Sequence, residues 1–237
     1  TAGAAALIAK SNGSPIESVY IYSKPEWTAL VTAGDSGITS VEQLKGKKVA
    51  ATLGTDPYIF LLRSLQEVGL SSKDLEIVNL QHSDGANALL TNQVDAWAGL
   101  DPHMAKVEVD SGAILFLLDH DKNTYGTLNV RSEFAEQHPE IVEKVIEVYE
   151  KARKWVVENP EEAAEILAKE ADMPVEVARK SLERNDFSDP IPGAKQIESL
   201  HAAGKVLQSE KVIKDNVDVE KVVKELIIDR YSKKVIE

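Results

Sequence analysis

One pattern, run three times between Lys47 and Pro102, constrains this chain more than anything else in it: a short apolar strand, a polar turn, then the start of a helix. Val49-Ala50-Ala51-Thr52 leads into Gly54-Thr55-Asp56-Pro57, Ile77-Val78-Asn79-Leu80 into His82-Ser83-Asp84-Gly85, and Ala96-Trp97-Ala98-Gly99 into Asp101-Pro102-His103. Strands separated by helices of about a dozen residues build a parallel sheet, and such sheets take ligands beyond the carboxyl ends of their strands. The three turns are therefore expected along one edge of one sheet, inside an α/β fold.

Composition narrows what that edge can bind. A chain of 237 residues is long enough for one large domain or two ordinary lobes. No apolar run approaches the roughly 18 residues of a membrane-spanning helix. A formal charge of −12 argues against a nucleic-acid footprint and against attraction to anionic lipid, and leaves small molecules open. With no cysteine, the chain cannot build a disulfide, a thiolate zinc site or a cysteine nucleophile, a composition that fits an exported protein. The opening Thr1-Ala2-Gly3-Ala4-Ala5-Ala6-Leu7-Ile8-Ala9 lacks the basic start and cleavage pattern of a signal peptide, so any address label is expected outside this sequence.

Around the repeated pattern, residues 4–11 read as a short helix stopped by Asn12-Gly13, residues 19–22 as a strand ending at Lys24-Pro25, and residues 28–32 as another. Ser40-Val41-Glu42-Gln43-Leu44 resembles a capped helical turn, and strands are expected at 114–118 and 127–130. From Ser132 the texture changes: 41 of the last 106 residues are charged, against 25 of the preceding 131, and helices are expected throughout. Ile141, Val145, Val148, Tyr149, Ala152, Trp155 and Val156 recur at three and four, which predicts one buried stripe on a helix stopping before Asn159-Pro160. Further helices are expected near 161–170, 174–183, 194–209 and 219–228, interrupted by a loop at 186–193.

The turns carry the candidate chemistry. In Gly54-Thr55-Asp56-Pro57, Gly permits close backbone approach, Thr or Asp can cap, and Pro suits a first helical turn. Free amides at such a helix start favour an anion, although Asp56 would repel one and an ordinary cap explains the same residues. Trp97 can wall a pocket or simply fill the core. His82, His103 and His120 stand near Asp84, Asp101, Asp119 and Asp121 in strand-end loops, but their spacing matches no metal-ligand motif, and solvated loop polarity explains them better. Asn123-Thr124-Tyr125-Gly126 can hydrogen-bond an oxyanion or form a plain Gly-containing turn. Arg184, beside Asn185 between two helices, can bind a sulfonate or carboxylate with both arms of its fork, or lie on the surface.

The order of these motifs resembles a known family. An Ala-rich start ending Ala9-Lys10-Ser11-Asn12-Gly13-Ser14-Pro15-Ile16 is followed by Leu44-Lys45-Gly46-Lys47-Lys48-Val49-Ala50, Gly54-Thr55-Asp56-Pro57, Val94-Asp95-Ala96-Trp97, Asp101-Pro102 and Asn123-Thr124-Tyr125-Gly126. Together they resemble the solute-binding proteins of bacterial ABC importers, in particular the aliphatic sulfonate, taurine and nitrate group. The resemblance implies a two-lobed α/β fold of the type II periplasmic-binding-protein kind, each lobe a mainly parallel sheet flanked by helices. It implies lobe 1 at 1–30 and 129–237 and lobe 2 at 31–128, with chain crossings near 28–33 and 126–131. Family members usually carry a further strand, helix and strand ahead of the segment matching Thr1-Ala2-Gly3, so lobe 1 is expected to be incomplete at its amino end.

The same resemblance implies a small anion, most readily an aliphatic sulfonate, trapped in the interlobe cleft and delivered to an ABC permease in the membrane. Its ligand-binding set would be Thr1, Gly54, Thr55, Asp56, His82, Trp97, Asp101, Thr124, Tyr125 and Arg184, with no catalytic residue, metal or cofactor. It further implies a monomer, periplasmic or extracellular, with a lipid anchor in a preceding segment as one form. Two other readings stay open. One is an enzyme on the same fold, like the desulfinase or the thiamine-pyrimidine synthases among the family's relatives, whose chemistry uses reactive cysteine or histidine. The other is a binder of an aromatic or pyrimidine precursor, stacked by Trp27, Tyr58, Trp97 and Tyr125.

Overall fold

A computed structural model describes residues 1–237 apart from the side chain of Pro25. The chain gathers into two compact units. Unit 1 comprises Thr1–Pro25, Thr124–Pro160 and Asp186–Glu237, and unit 2 comprises Glu26–Asn123 and Glu161–Asn185. The sequence reading keeps everything after residue 128 in one lobe; in the structure the helical stretch 161–185 sits with unit 2, for a reason that emerges from its ion pairs below.

Unit 2 is built on a five-stranded sheet of order β4-β3-β5-β2-β6. Its strands are β2 (Thr28–Thr32), β3 (Lys48–Ala51), β4 (Glu76–Asn79), β5 (Ala96–Leu100) and β6 (Ile114–Leu118). Strands β3, β4 and β5 are parallel, with Val49 opposite both Ile77 and Ala96, so the turns that follow them share one edge as the repeated pattern requires. β2 runs antiparallel to β5 and β6 on either side of it, which makes the sheet mixed. β3, β4 and β5 are each followed by a helix, α2 (Asp56–Glu67), α3 (His82–Leu90) and α4 (His103–Ser111). Two more, α7 (Pro160–Glu170) and α8 (Val175–Glu183), come from the carboxyl half of the chain. The expected capped turn is a short 3-10 helix, Val41–Leu44, and the Gln43 side-chain oxygen accepts the Ser40 amide at 3.0 Å.

Trp97 decides how this unit packs. Its side chain is fully buried among Ala29, Val31, Ala50, Leu89, Met104 and Val107, so it fills the core and does not wall a pocket. α3 comes so close to the ring that a Cβ placed on Gly85 would stand 2.7 Å from Trp97 Nε1. Gly85→Ala should therefore cost about 1–3 kcal/mol through overpacking, outweighing alanine's better helix propensity. Urea unfolding checks this, and an unchanged or higher midpoint would show that α3 shifts at no cost.

In unit 1, a three-stranded sheet has the order β7-β1-β8, from β1 (Ile16–Pro25), β7 (Gly126–Arg131) and the two-residue β8 (Asn185–Asp186). β1 and β7 are antiparallel, pairing Ile16 with Arg131 and Ser23 with Gly126. This departs from the mainly parallel sheet expected of each lobe. β7 follows the return of the chain at Thr124 directly and runs against β1. Around the sheet lie α1 (Gly3–Ser11), α5 (Ser132–Gln137), α6 (Pro139–Glu158), α9 (Ala194–Ser209), α10 (Val219–Leu226) and α11 (Arg230–Ile236).

On α6 the expected buried stripe is wrong by one residue. Val142 and Ile146 are buried, meeting Val19, Tyr20, Ala135 and Tyr231, whereas Ile141 is 43% and Val148 61% exposed. The helix has apolar residues on two adjoining faces, and periodicity cannot say which of them β1 will cover. Glu150, also buried on α6, accepts from Tyr20 Oη at 3.1 Å and is clasped by Arg153 through two bonds of 2.7 Å. Arg153 also donates to the Phe187 carbonyl at 2.6 Å, and this tie fixes the loop after β8 to α6.

Candidate functional site

At the carboxyl edge of the unit 2 sheet, the chain leaves β3 through Thr52-Leu53-Gly54-Thr55. Gly54 has φ +75°, a left-handed conformation that a side chain resists, so glycine is required for the turn. Thr55 precedes α2, but its hydroxyl does not cap the helix; it donates back to the Thr52 carbonyl at 2.6 Å. Asp56 is buried and Pro57 occupies the first turn. The neighbouring turn is tied in by side chains: Leu53 N donates to Asn79 Oδ1 at 3.2 Å, and Thr52 Oγ1 donates to the Leu80 carbonyl at 2.6 Å.

His82 opens α3 with Nδ1 3.3 Å from Thr52 Oγ1. His103 opens α4, and its proximity together with burial holds the His82 imidazole below the usual histidine pKa, burial being the larger cause. Three helix starts, each the positive end of a helix dipole, thus lie along one edge with two imidazoles among them. His103 was not among the sequence-derived binding residues. The signal was present in its place, directly after Asp101-Pro102 at the third turn.

Asp101 and Arg184 do come together, but with each other. Asp101 Oδ1 accepts the Ala105 amide at 2.8 Å, capping α4, and Arg184 NH1 reaches both carboxylate oxygens at 3.0 and 3.1 Å. The other arm of Arg184 bonds Glu108, whose second oxygen lies 3.4 Å from Lys180. Burial pushes the Asp101 carboxyl above the usual carboxylate pKa, against the pull of Arg184. The guanidinium is therefore occupied by two carboxylates, and its role here is to fasten the end of α8 to α4. This accounts for the place of 161–185 in unit 2.

The remaining sequence-derived residues meet in unit 1. Thr124 is fully buried and its Oγ1 accepts the Ala4 amide at 3.0 Å, while the Tyr125 carbonyl accepts the Gly3 amide at 2.7 Å. Thr127 N donates to the Thr1 carbonyl at 2.8 Å. Thr1, Thr124 and Tyr125 thus gather around the first turn of α1. Of the ten candidate residues, Gly54, Thr55, Asp56, His82 and Asp101 share the unit 2 edge. Trp97 lies in the core and Arg184 in the ion-pair network.

The fold is that of a bacterial periplasmic solute-binding protein. The crystal structure of the periplasmic aliphatic sulphonate binding protein SsuA from Escherichia coli superposes with a TM-score of 0.86 over 96% of this chain and 74% of that one, at 24% identity. Residues 1–163 match the NMT1/THI5-like family, and the chain belongs to it. A Bacillus subtilis (strain 168) protein named for aliphatic sulfonate binding is 30% identical over 205 residues, 86% of this chain and 60% of that protein. Its namesake in Escherichia coli (strain K12) is 25% identical over 83% of this chain and 62% of its own length. The chain thus spans about 60% of the length of these two relatives.

Proposed function

We propose that this chain is the solute-binding component of an ABC importer and captures a small strong-acid anion, an aliphatic sulfonate, without changing it. The observation that carries this reading is the meeting of three helix starts at one sheet edge, where Gly54 and Thr55 leave a turn whose side chains do not cap α2. Each helix start contributes about 0.3–1 kcal/mol toward an exposed anion and up to about 2 toward a partly buried one, so three together suffice to select for negative charge. The names of the two relatives support sulfonate over other anions. The absence of cysteine weighs against a cysteine-dependent enzyme on this fold.

In this reading the ligand selects the state that a membrane permease recognises, and the protein acts outside the cytoplasm as a monomer. Among the described residues no helix is long and apolar enough to cross a membrane. Thermal unfolding with alkanesulfonates, taurine, nitrate, bicarbonate and pyrimidine precursors tests the ligand class. A ligand at a hundred times its Kd adds about 2.7 kcal/mol to the native state. Sulfonates should raise the midpoint and pyrimidine precursors should leave it unmoved. The reverse pattern would replace this reading with the precursor binder.

A further inference from the structure

The two imidazoles at the unit 2 edge have no task in a binding site built only from helix starts. Thr52 fixes the state of the first. Its single hydroxyl proton goes to the Leu80 carbonyl at 2.6 Å, so toward His82 its oxygen can only accept, and the proton of the neutral ring must sit on Nδ1. Nε2 is left as a lone pair, with no hydrogen-bond partner among the described residues. His103, in the first turn of α4, is close enough to act on His82 electrostatically.

Of the charged groups around the pair, Asp56 is buried in the first turn of α2 at the same edge. On α3 itself Asp84 is exposed. β3 carries only Lys48, at its far end and paired with Glu76, and β5 carries no charge. Asp101, after β5, is matched by Arg184. On α4, Lys106 pairs with Asp110, and Glu108 takes Arg184 and Lys180 from α8. Burial, with His103 nearby as the smaller cause, makes the His82 ring resist charge while no anion is bound.

We propose that anion capture at this edge is coupled to proton uptake: a bound strong-acid anion draws one proton from solvent onto Nε2 of His82 or onto the His103 ring, forming an imidazolium that pairs with it. The balance is simple, one N–H bond formed for one proton lost by water or buffer. The inference rests on the proposed sulfonate reading, and it adds that the ligand is one whose own charge persists in mild acid. A rise of one pKa unit in one imidazole on binding makes capture about tenfold tighter once the pH lies below both values.

The test uses the unaltered protein with methanesulfonate as probe. The ring Cε1–H signals of the five histidines are followed by NMR from pH 5 to 8.5, with and without the probe, and Kd is measured at both ends. The expected result is an upward shift of at least one pKa unit for His82 or His103, none for His120, His138 or His201, and a Kd about tenfold lower at pH 5 than at pH 8.5. Binding with an unchanged Kd and unmoved imidazoles would overturn proton coupling and leave the sulfonate reading standing. Failure to bind at any pH would overturn both. His82→Asn should flatten the pH profile, and a profile of unaltered steepness in that variant and in His103→Asn would also overturn the proposal.

Discussion

Thr55→Glu should fold like the parent protein and bind no alkanesulfonate. The fold is expected to survive because Thr55 is half-buried and its hydroxyl bonds backward to Thr52 instead of capping α2, so the helix loses no cap with it. A carboxylate beside the positive end of a helix is in fact favourable to that helix. The same carboxylate would occupy the space and the charge that the anion needs. Two like charges about 4 Å apart repel by about 4 kcal/mol at an effective dielectric constant of 20, roughly a thousandfold in Kd. Circular dichroism establishes the fold and calorimetry the binding; undiminished affinity in a folded variant would place the site elsewhere.

The largest loss of stability should come from Arg184→Ala. Side chains of Arg184 and Asp101 are 11% and 6% exposed, and removing the cation leaves Asp101 and Glu108 with Lys180 alone nearby. Breaking a buried pair from one side costs about 3–5 kcal/mol, because the surviving charge stays desolvated. The pH dependence has a definite sign. Burial already raises Asp101, and loss of Arg184 raises it further, so the variant is penalised once the pH exceeds the folded value and recovers as acid protonates the carboxyl. The deficit between variant and parent should be full above the variant's folded value and shrink as the pH falls through it toward the parent's, so that it is smaller at pH 4 than at pH 8. A deficit that is constant across this range would mean that the loss comes from packing of the arginine stem. Hydrogen exchange should accelerate first in α8, which this network fastens to α4.

What could be read before the structure follows the range of the interactions involved. The three strand, turn and helix repeats are local, and periodicity, Gly54 and the caps were enough to place them along one edge. The antiparallel β2 and the antiparallel pairing of β1 with β7 depend on where the chain returns in space, which no window of sequence contains. The choice on α6 between Ile141 and Val142 was likewise set by β1. At the candidate site, the place of Gly54, Thr55 and His82 along the sheet edge was legible from turn chemistry. The partnership of Asp101 with Arg184 crosses 83 residues, and with Trp97 it shows the limit of residue type as a guide: a fork-shaped cation and a large aromatic suit a ligand, but each was taken by the protein's own interior.

A single calorimetric titration of methanesulfonate into the protein tests the central claim most directly, because the same trace separates capture from conversion. The account predicts heats that saturate at one ligand per chain and a signal that returns to its starting baseline after every injection. Heats that never saturate, or a steady power offset that grows with protein concentration and persists while ligand is consumed, would contradict it.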